Sequence, residues 1–211
     1  MRIREMAEAD IDAVAELRVR GWQHAYAGLM PQTYLDGMSP DRDAGQRREL
    51  FAKTRGVITN LVAEDDAGRV TGWAALGPYR DDDRTGGAGR AQDGELYALY
   101  VLPERIGTGT GRALMDAVLT RAEELGHTRL LLWVVKGNAR ARRFYERAGW
   151  APDGAEEAYD VDGASVPELR YVRGVRRVPE QRSLAGANGH AAAREADRQD
   201  ADRQEAAPRR R

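Results

Sequence analysis

Cysteine is absent from the 211 residues, which removes disulfides, thiolate zinc sites and a cysteine nucleophile together. Lysine is nearly absent as well: only Lys53 and Lys136 occur, so almost all positive charge is arginine, a usage expected of a GC-rich bacterial genome. No long apolar run is present. The longest, Leu130 to Val135, falls far short of a spanning helix, and the chain opens on the charged Met-Arg-Ile-Arg-Glu. The expectation is a cytoplasmic protein with no membrane partner. Charge of one sign is not in excess either, since 33 basic and 34 acidic residues leave a net of −1, which gives no general attraction to nucleic acid. From Gly174 onward, however, nine Arg face six acidic residues, a local +3 against −4 for residues 1–173. Histidine is scarce, and His24, His127 and His190 are too scattered to ligate a metal. With no His-Glu-x-x-His and no Gly-x-Ser-x-Gly, no metal and no serine nucleophile are assigned.

What is present is enough apolar content, 42%, to bury one substantial core. Met1 to Met6 reads as a strand. Ile11, Val14, Ala15 and Leu17 recur at helical spacing toward Trp22 and Tyr26, and Pro40 to Thr54 reads as a second helix. The runs Val57 to Glu64 and Val70 to Leu76 form a hairpin through Asp66-Ala67-Gly68. Arg80 to Gly94 lacks apolar periodicity and reads as a loop. Then come a strand from Glu95 to Leu102, an amphipathic helix from Gly109 to Leu125 and a buried strand from Leu130 to Val135, which together make a βαβ unit. Asn138 caps a helix carrying Ala141, Phe144, Tyr145 and Ala148 and closing at Gly149. Two last strands flank Asp162-Gly163. Beyond Val178 scarcely a large apolar residue remains to offset the entropy of ordering, so residues 1–173 are expected to form one domain and 174–211 a disordered tail.

The link between the first strand of the βαβ unit and its helix carries the chemical signal. After Pro103 the chain runs Glu-Arg-Ile-Gly-Thr-Gly-Thr-Gly directly into the helix, so the N–H groups of Ile106, Gly107, Thr108, Gly109, Thr110, Gly111 and Arg112 converge at the positive end of a helix dipole. Such a place binds phosphate, and alternating glycines let the backbone approach closely. The dinucleotide fingerprint would need glycine where Arg112 or Leu114 stands, and an ATP phosphate loop would need Gly-Lys-Ser/Thr. A plain turn that happens to need glycine is the structural alternative.

Tyr100-Val101-Leu102-Pro103 followed by Ile-Gly-Thr-Gly-Thr-Gly-Arg-Ala-Leu-Met resembles the acetyl-CoA motif of the GNAT superfamily of N-acetyltransferases. Asn138-Ala-Arg-Ala-Arg-Arg-Phe-Tyr-Glu-Arg-Ala-Gly-Trp150 is similar to that family's second motif, and the element order agrees from Met1 to Val172. The resemblance implies a mixed α/β fold, a mostly antiparallel sheet splayed at one parallel βαβ unit and flanked by helices. It implies acetyl-CoA as co-substrate and direct transfer of the acetyl group to an amine in a ternary complex. One departure stands out: where the family usually has Gln or Arg, three residues before the second glycine, this chain has Ile106, with Arg105 one residue early.

Roles follow from the same resemblance. A strand bulge at Leu99 to Val101 presents a main-chain N–H, expected from Val101, to the acetyl oxygen; Tyr145 donates a proton to the departing thiolate; Asn138 hydrogen-bonds the pantetheine arm. Tyr145 and Asn138 are seven residues apart and share a helix face. Glu95 matches a carboxylate that some family members use as general base, directly or through water. Trp22 and Tyr26 wall the acceptor site, or else are core packing. Asp81, Asp82 and Asp83 form an acidic loop, able to draw in a cationic amine but more commonly only solvated, and the closing Pro-Arg-Arg-Arg reads as a solubilising end rather than a contact for acidic partners. The expected acceptor is a small-molecule amine, with a protein N-terminus or lysine as the enzymatic alternative and a non-catalytic acyl-CoA sensor as the rival from another class. A second copy of the chain stands open as a partner.

Overall fold

The computed structural model describes residues 1–80 and 92–175. The acidic stretch Asp81 to Asp83, His190 and the tail expected to be disordered beyond Val178 lie outside the described residues. Among the described residues no helix is long and apolar enough to cross a membrane, and no group of three or more His, Asp or Glu side chains is gathered to hold a metal.

The elements follow in the order β1 (Arg2–Glu5), α1 (Ile11–Ala25), α2 (Gln32–Asp36), α3 (Pro40–Lys53), β2 (Thr59–Glu64), β3 (Val70–Pro78), β4 (Asp93–Val101), α4 (Thr110–Glu124), β5 (Arg129–Val135), α5 (Ala139–Arg147), β6 (Ala151–Val161) and β7 (Ala164–Gly174). Local chemistry explains several boundaries. Pro40 opens α3 behind Ser39, whose hydroxyl accepts from the Arg42 N–H. Asn138 caps α5 by accepting from the Ala141 N–H at 3.0 Å. Asp162 and Gly163 both take positive φ, 51° and 75°, which is what a two-residue hairpin between β6 and β7 requires.

The strands form one sheet in the order β1-β2-β3-β4-β5-β7-β6, antiparallel everywhere except between β4 and β5. That pair is joined in only three places, Asp93 with Arg129, Gly94 with Leu130 and Glu95 with Leu131. Beyond Glu95 the two strands part, and a wedge opens in the middle of the sheet. Two apolar layers hold it. Leu114, Met115, Val118 and Ala122 of α4 pack on one face against Leu130, Leu132, Val134 and Tyr171, with Phe144 and Tyr145 of α5 at the margin. On the other face Ile11, Val14, Ala15 and Leu17 of α1 meet Val62, Trp73 and Ala75, and Trp22 joins Leu35, Val135 and Val166. Each fully buried Leu, Met or Val contributes roughly 1.5–3 kcal/mol.

Two features depart from the sequence reading. The short α2 is unannounced, because five residues cannot display helical periodicity. The irregularity in β4 lies at Tyr97, not in Leu99–Val101: Ala75 pairs with Ala98 and Leu76 with Leu96, so Tyr97 is the extra residue. Gly77 makes room for it, since a Cβ there would stand 2.7 Å from the Tyr97 ring.

Candidate active site

The glycine turn leaves β4 through a 3-10 turn over Pro103–Arg105 and enters α4 at Gly109. Gly107 and Gly109 hold φ of 83° and 93°, in the left-handed region that favours glycine, and a Cβ on either would meet no protein atom within 4 Å. Gly111 is different. Its φ is not positive, and a Cβ would sit at an ordinary 3.6 Å from Phe144, so the expectation of a strained turn holds for the first two glycines only. The N–H of Ile106 is taken by the Pro103 carbonyl and that of Thr108 by Arg105. Those of Gly107, Gly109, Thr110, Gly111 and Arg112 have no acceptor among the described residues. No side chain caps α4. Five donors without an acceptor among the described residues, at a helix N-terminus on an exposed turn, form a cradle able to take an anion. Arg105 does not add to it, because its guanidinium is bound to Asp65 at 2.9 Å, and Ile106 is exposed.

Leu99, Val101 and Tyr100 line the β4 side of the wedge, and α5 approaches from beyond β5. Leu99 and Val101 face the layer beneath α4, whereas Tyr100 faces α1 and α2. Tyr145 packs edge-on between Phe144 at 5.4 Å and Trp150 at 6.1 Å. Its hydroxyl has no hydrogen-bond partner among the described residues, and burial pushes its pKa well above the ordinary phenol value, so the proton is retained. The helix beneath it is anchored. Tyr171, fully buried in β7, donates to Glu146 at 2.8 Å and accepts from Arg142 at 3.1 Å. Asn138 uses its carbonyl oxygen as the cap, leaving the amide NH2 to donate elsewhere.

On the opposite side Trp22 and Tyr26 of the α1 end form an edge-to-face pair at 5.0 Å. The Tyr26 hydroxyl shares a hydrogen bond of 3.1 Å with that of Tyr100, and the buried Trp22 Nε1 lies beside the Tyr100 hydroxyl without a well-aligned hydrogen bond among the described residues. Both readings of this pair therefore have substance, packing for the rings and a polar wall for the tips. Glu95 is 2% exposed, and both its oxygens accept from Arg80, at 2.6 Å from Nη2 and 3.0 Å from the main-chain N–H. One residue of this region belongs to no sequence motif. Glu168 of β7 lies half-buried opposite Val135 of β5 and Glu157 of β6, and burial followed by the Glu157 charge raises its pKa to about 7.

The sheet of seven strands is thus split between β4 and β5, with unpartnered main-chain donors at one side of the split and aromatic and carboxylate groups at the other. The sequence profile of the Acetyltransferase (GNAT) family matches residues 18–150, and the chain belongs to that family. It is 31% identical to the uncharacterised N-acetyltransferase YuaI of Bacillus subtilis over 79% of this chain and 89% of that protein. An uncharacterised N-acetyltransferase of Mycobacterium tuberculosis is 43% identical over 69% of this chain and 85% of that one. In fold it is similar to the PaiA N-acetyltransferase of Thermoplasma acidophilum, solved with coenzyme A, at a TM-score of 0.59 and 19% identity, with 82% of this chain and 98% of that chain covered. The protein is accordingly an N-acetyltransferase.

Proposed function

We propose that the chain transfers an acetyl group from acetyl-CoA to the amine of a small molecule, by direct attack within a ternary complex. The observation that carries this reading is the set of five unpartnered N–H groups from Gly107 to Arg112, set beside the wedge where β4 and β5 part. In this reading they hold the pyrophosphate, while the β4 edge at Leu99 and Val101 and the Asn138 amide hold the pantetheine arm. A main-chain N–H of this β4 segment polarises the acetyl oxygen. Tyr145 keeps its proton until thiolate forms and then gives it up, which suits a phenol whose surroundings disfavour the anion. Trp22, Tyr26 and Tyr100 wall the acceptor side, and their packed rings and shared hydroxyl hydrogen bond suit a small amine.

Calorimetric titration with acetyl-CoA tests the cradle. The wild type is expected to bind one equivalent and Gly109→Val none, and unchanged affinity in a folded Gly109→Val protein would remove the phosphate assignment.

A further inference from the structure

Glu168 lies outside the family motifs and differs from the other interior carboxylates. The three carboxylates that are fully buried among the described residues, Asp43, Asp93 and Glu95, are each held by arginine: Arg18 and Arg47, Arg129, and Arg80. Glu168 has no hydrogen bond or ion pair among the described residues. It also faces another acid, because Glu157 stands directly across the β6–β7 ladder, where like charges destabilise a sheet. Alternation along β7 puts Glu168 on the face of Val166, and Val135 lies opposite it on the layer that includes Trp22. That is the acceptor side of the wedge. From other elements, Glu157 of β6 stands across the ladder, and Tyr26 at the end of α1, Tyr100 and Glu95 of β4 and Arg80 after β3 are near enough for their charges to act on it or it on theirs.

We propose that Glu168 is the general base: its carboxylate binds the protonated amine of the acceptor and takes one proton from it, so the acceptor is a cationic alkylamine. This rests on the acetyltransferase reading given above. The charges explain the residue types. The unpartnered Glu168 carboxylate attracts one ammonium group, which lessens its repulsion with Glu157, and the nearby aromatic faces suit a cation. A carboxylate that ionises near pH 7 is matched to proton abstraction at neutral pH, whereas Glu95 has both oxygens engaged by Arg80 and acts by positioning, or through water. The balance is complete. The ammonium nitrogen gives one proton to Glu168 and bonds to the acetyl carbon as the carbon–sulfur bond breaks. Tyr145 supplies the thiol proton and is restored by the second nitrogen proton, and Glu168 returns its own to water.

The test uses the full chain and compares Glu168→Gln, Glu168→Asp and Glu95→Gln by thiol release from acetyl-CoA, against a panel of primary alkylamines and ring-substituted anilines. Anilines are already neutral at pH 7 and need no proton removed before attack. In the wild type kcat/KM for alkylamines falls about tenfold per pH unit below a limb near 7. Glu168→Gln is expected to lose this limb and roughly a hundredfold or more in alkylamine kcat/KM, to lose far less with anilines and to bind acetyl-CoA as before; Glu168→Asp restores part of the loss. The limb remains in Glu95→Gln. A Glu168→Gln protein that keeps both the limb and the alkylamine rate overturns the assignment of Glu168 alone. Absence of thiol release from the wild type with every amine overturns the acetyltransferase reading and this inference with it.

Discussion

Tyr145 and Gly109 each do something that their neighbours in the sequence cannot. Tyr145→Phe retains the ring between Phe144 and Trp150 and deletes only the hydroxyl. A packing role predicts no change. Proton donation predicts a fall in kcat of roughly a hundredfold, with acetyl-CoA affinity unaltered, read as thiol release at saturating substrates. At Gly109 the left-handed backbone and the approach of phosphate are separable, because a Cβ there touches no protein atom. Gly109→Ala is expected to cost about 1–2 kcal/mol in stability from strain alone, and in addition to weaken acetyl-CoA binding at least tenfold by standing between the N–H groups and the phosphate. A variant whose melting temperature falls while its affinity holds would leave Gly109 as a plain turn residue. The glycines could be read from sequence because spacing alone exposes them. Glu168 could not, since a single Glu in a strand looks solvated, and its neighbours come from elements far apart in the chain. The one available hint was an acid in the middle of each of the two last strands, Glu157 and Glu168.

At the scale of elements, the cradle is only as well placed as the helix that carries it. Gly72 of β3 lets α4 settle on the sheet: a Cβ there would lie 2.7 Å from Leu114 and 3.2 Å from Thr110. Gly72→Val is expected to push the start of α4 outward, cost about 1–3 kcal/mol by overpacking, and weaken acetyl-CoA binding although residue 72 lies in no motif. Paired thermal melts and calorimetry check this, and loss of stability with intact affinity would show the cradle to be independent of that contact. The βαβ unit, the helix capped by Asn138 and the Asp162-Gly163 hairpin were all legible, since periodicity, caps and turn residues are local. Position in the sheet was not. The three-pair contact of β4 with β5 and the bulge at Tyr97 are set by how the layers meet, for which composition has no marker.

Over the whole molecule the account implies an exchange of stability for activity at Glu168. Its pKa in the fold, about 7, lies above the ordinary value of 4.5, so the native state holds a proton that the unfolded chain has released between those limits. Stability from this source is complete below about pH 4.5 and lost as pH rises through 7. Glu168→Gln removes the loss. It should match the wild type near pH 4.5 and exceed it at pH 8 by on the order of 1–2 kcal/mol after solvent screening, or roughly 2–8 °C in melting temperature. A constant difference at all pH values would show that Glu168 ionises normally. The same scale holds the expectation for the tail: a chain ending at Val178 should melt and turn over as the full one does, because the residues beyond lack apolar area to join a core.

The central claim is that this family member is a working catalyst whose cradle and wedge serve acetyl transfer to a small amine. Amine-dependent thiol release, measured alongside mass-spectrometric detection of the N-acetylated amine, tests it most directly. The account predicts saturable thiol release with a cationic alkylamine, one acetylated product per thiol and no release without the amine. Tight binding of acetyl-CoA with no thiol released across the whole panel would contradict it, and would leave the protein as a sensor of the acyl carrier.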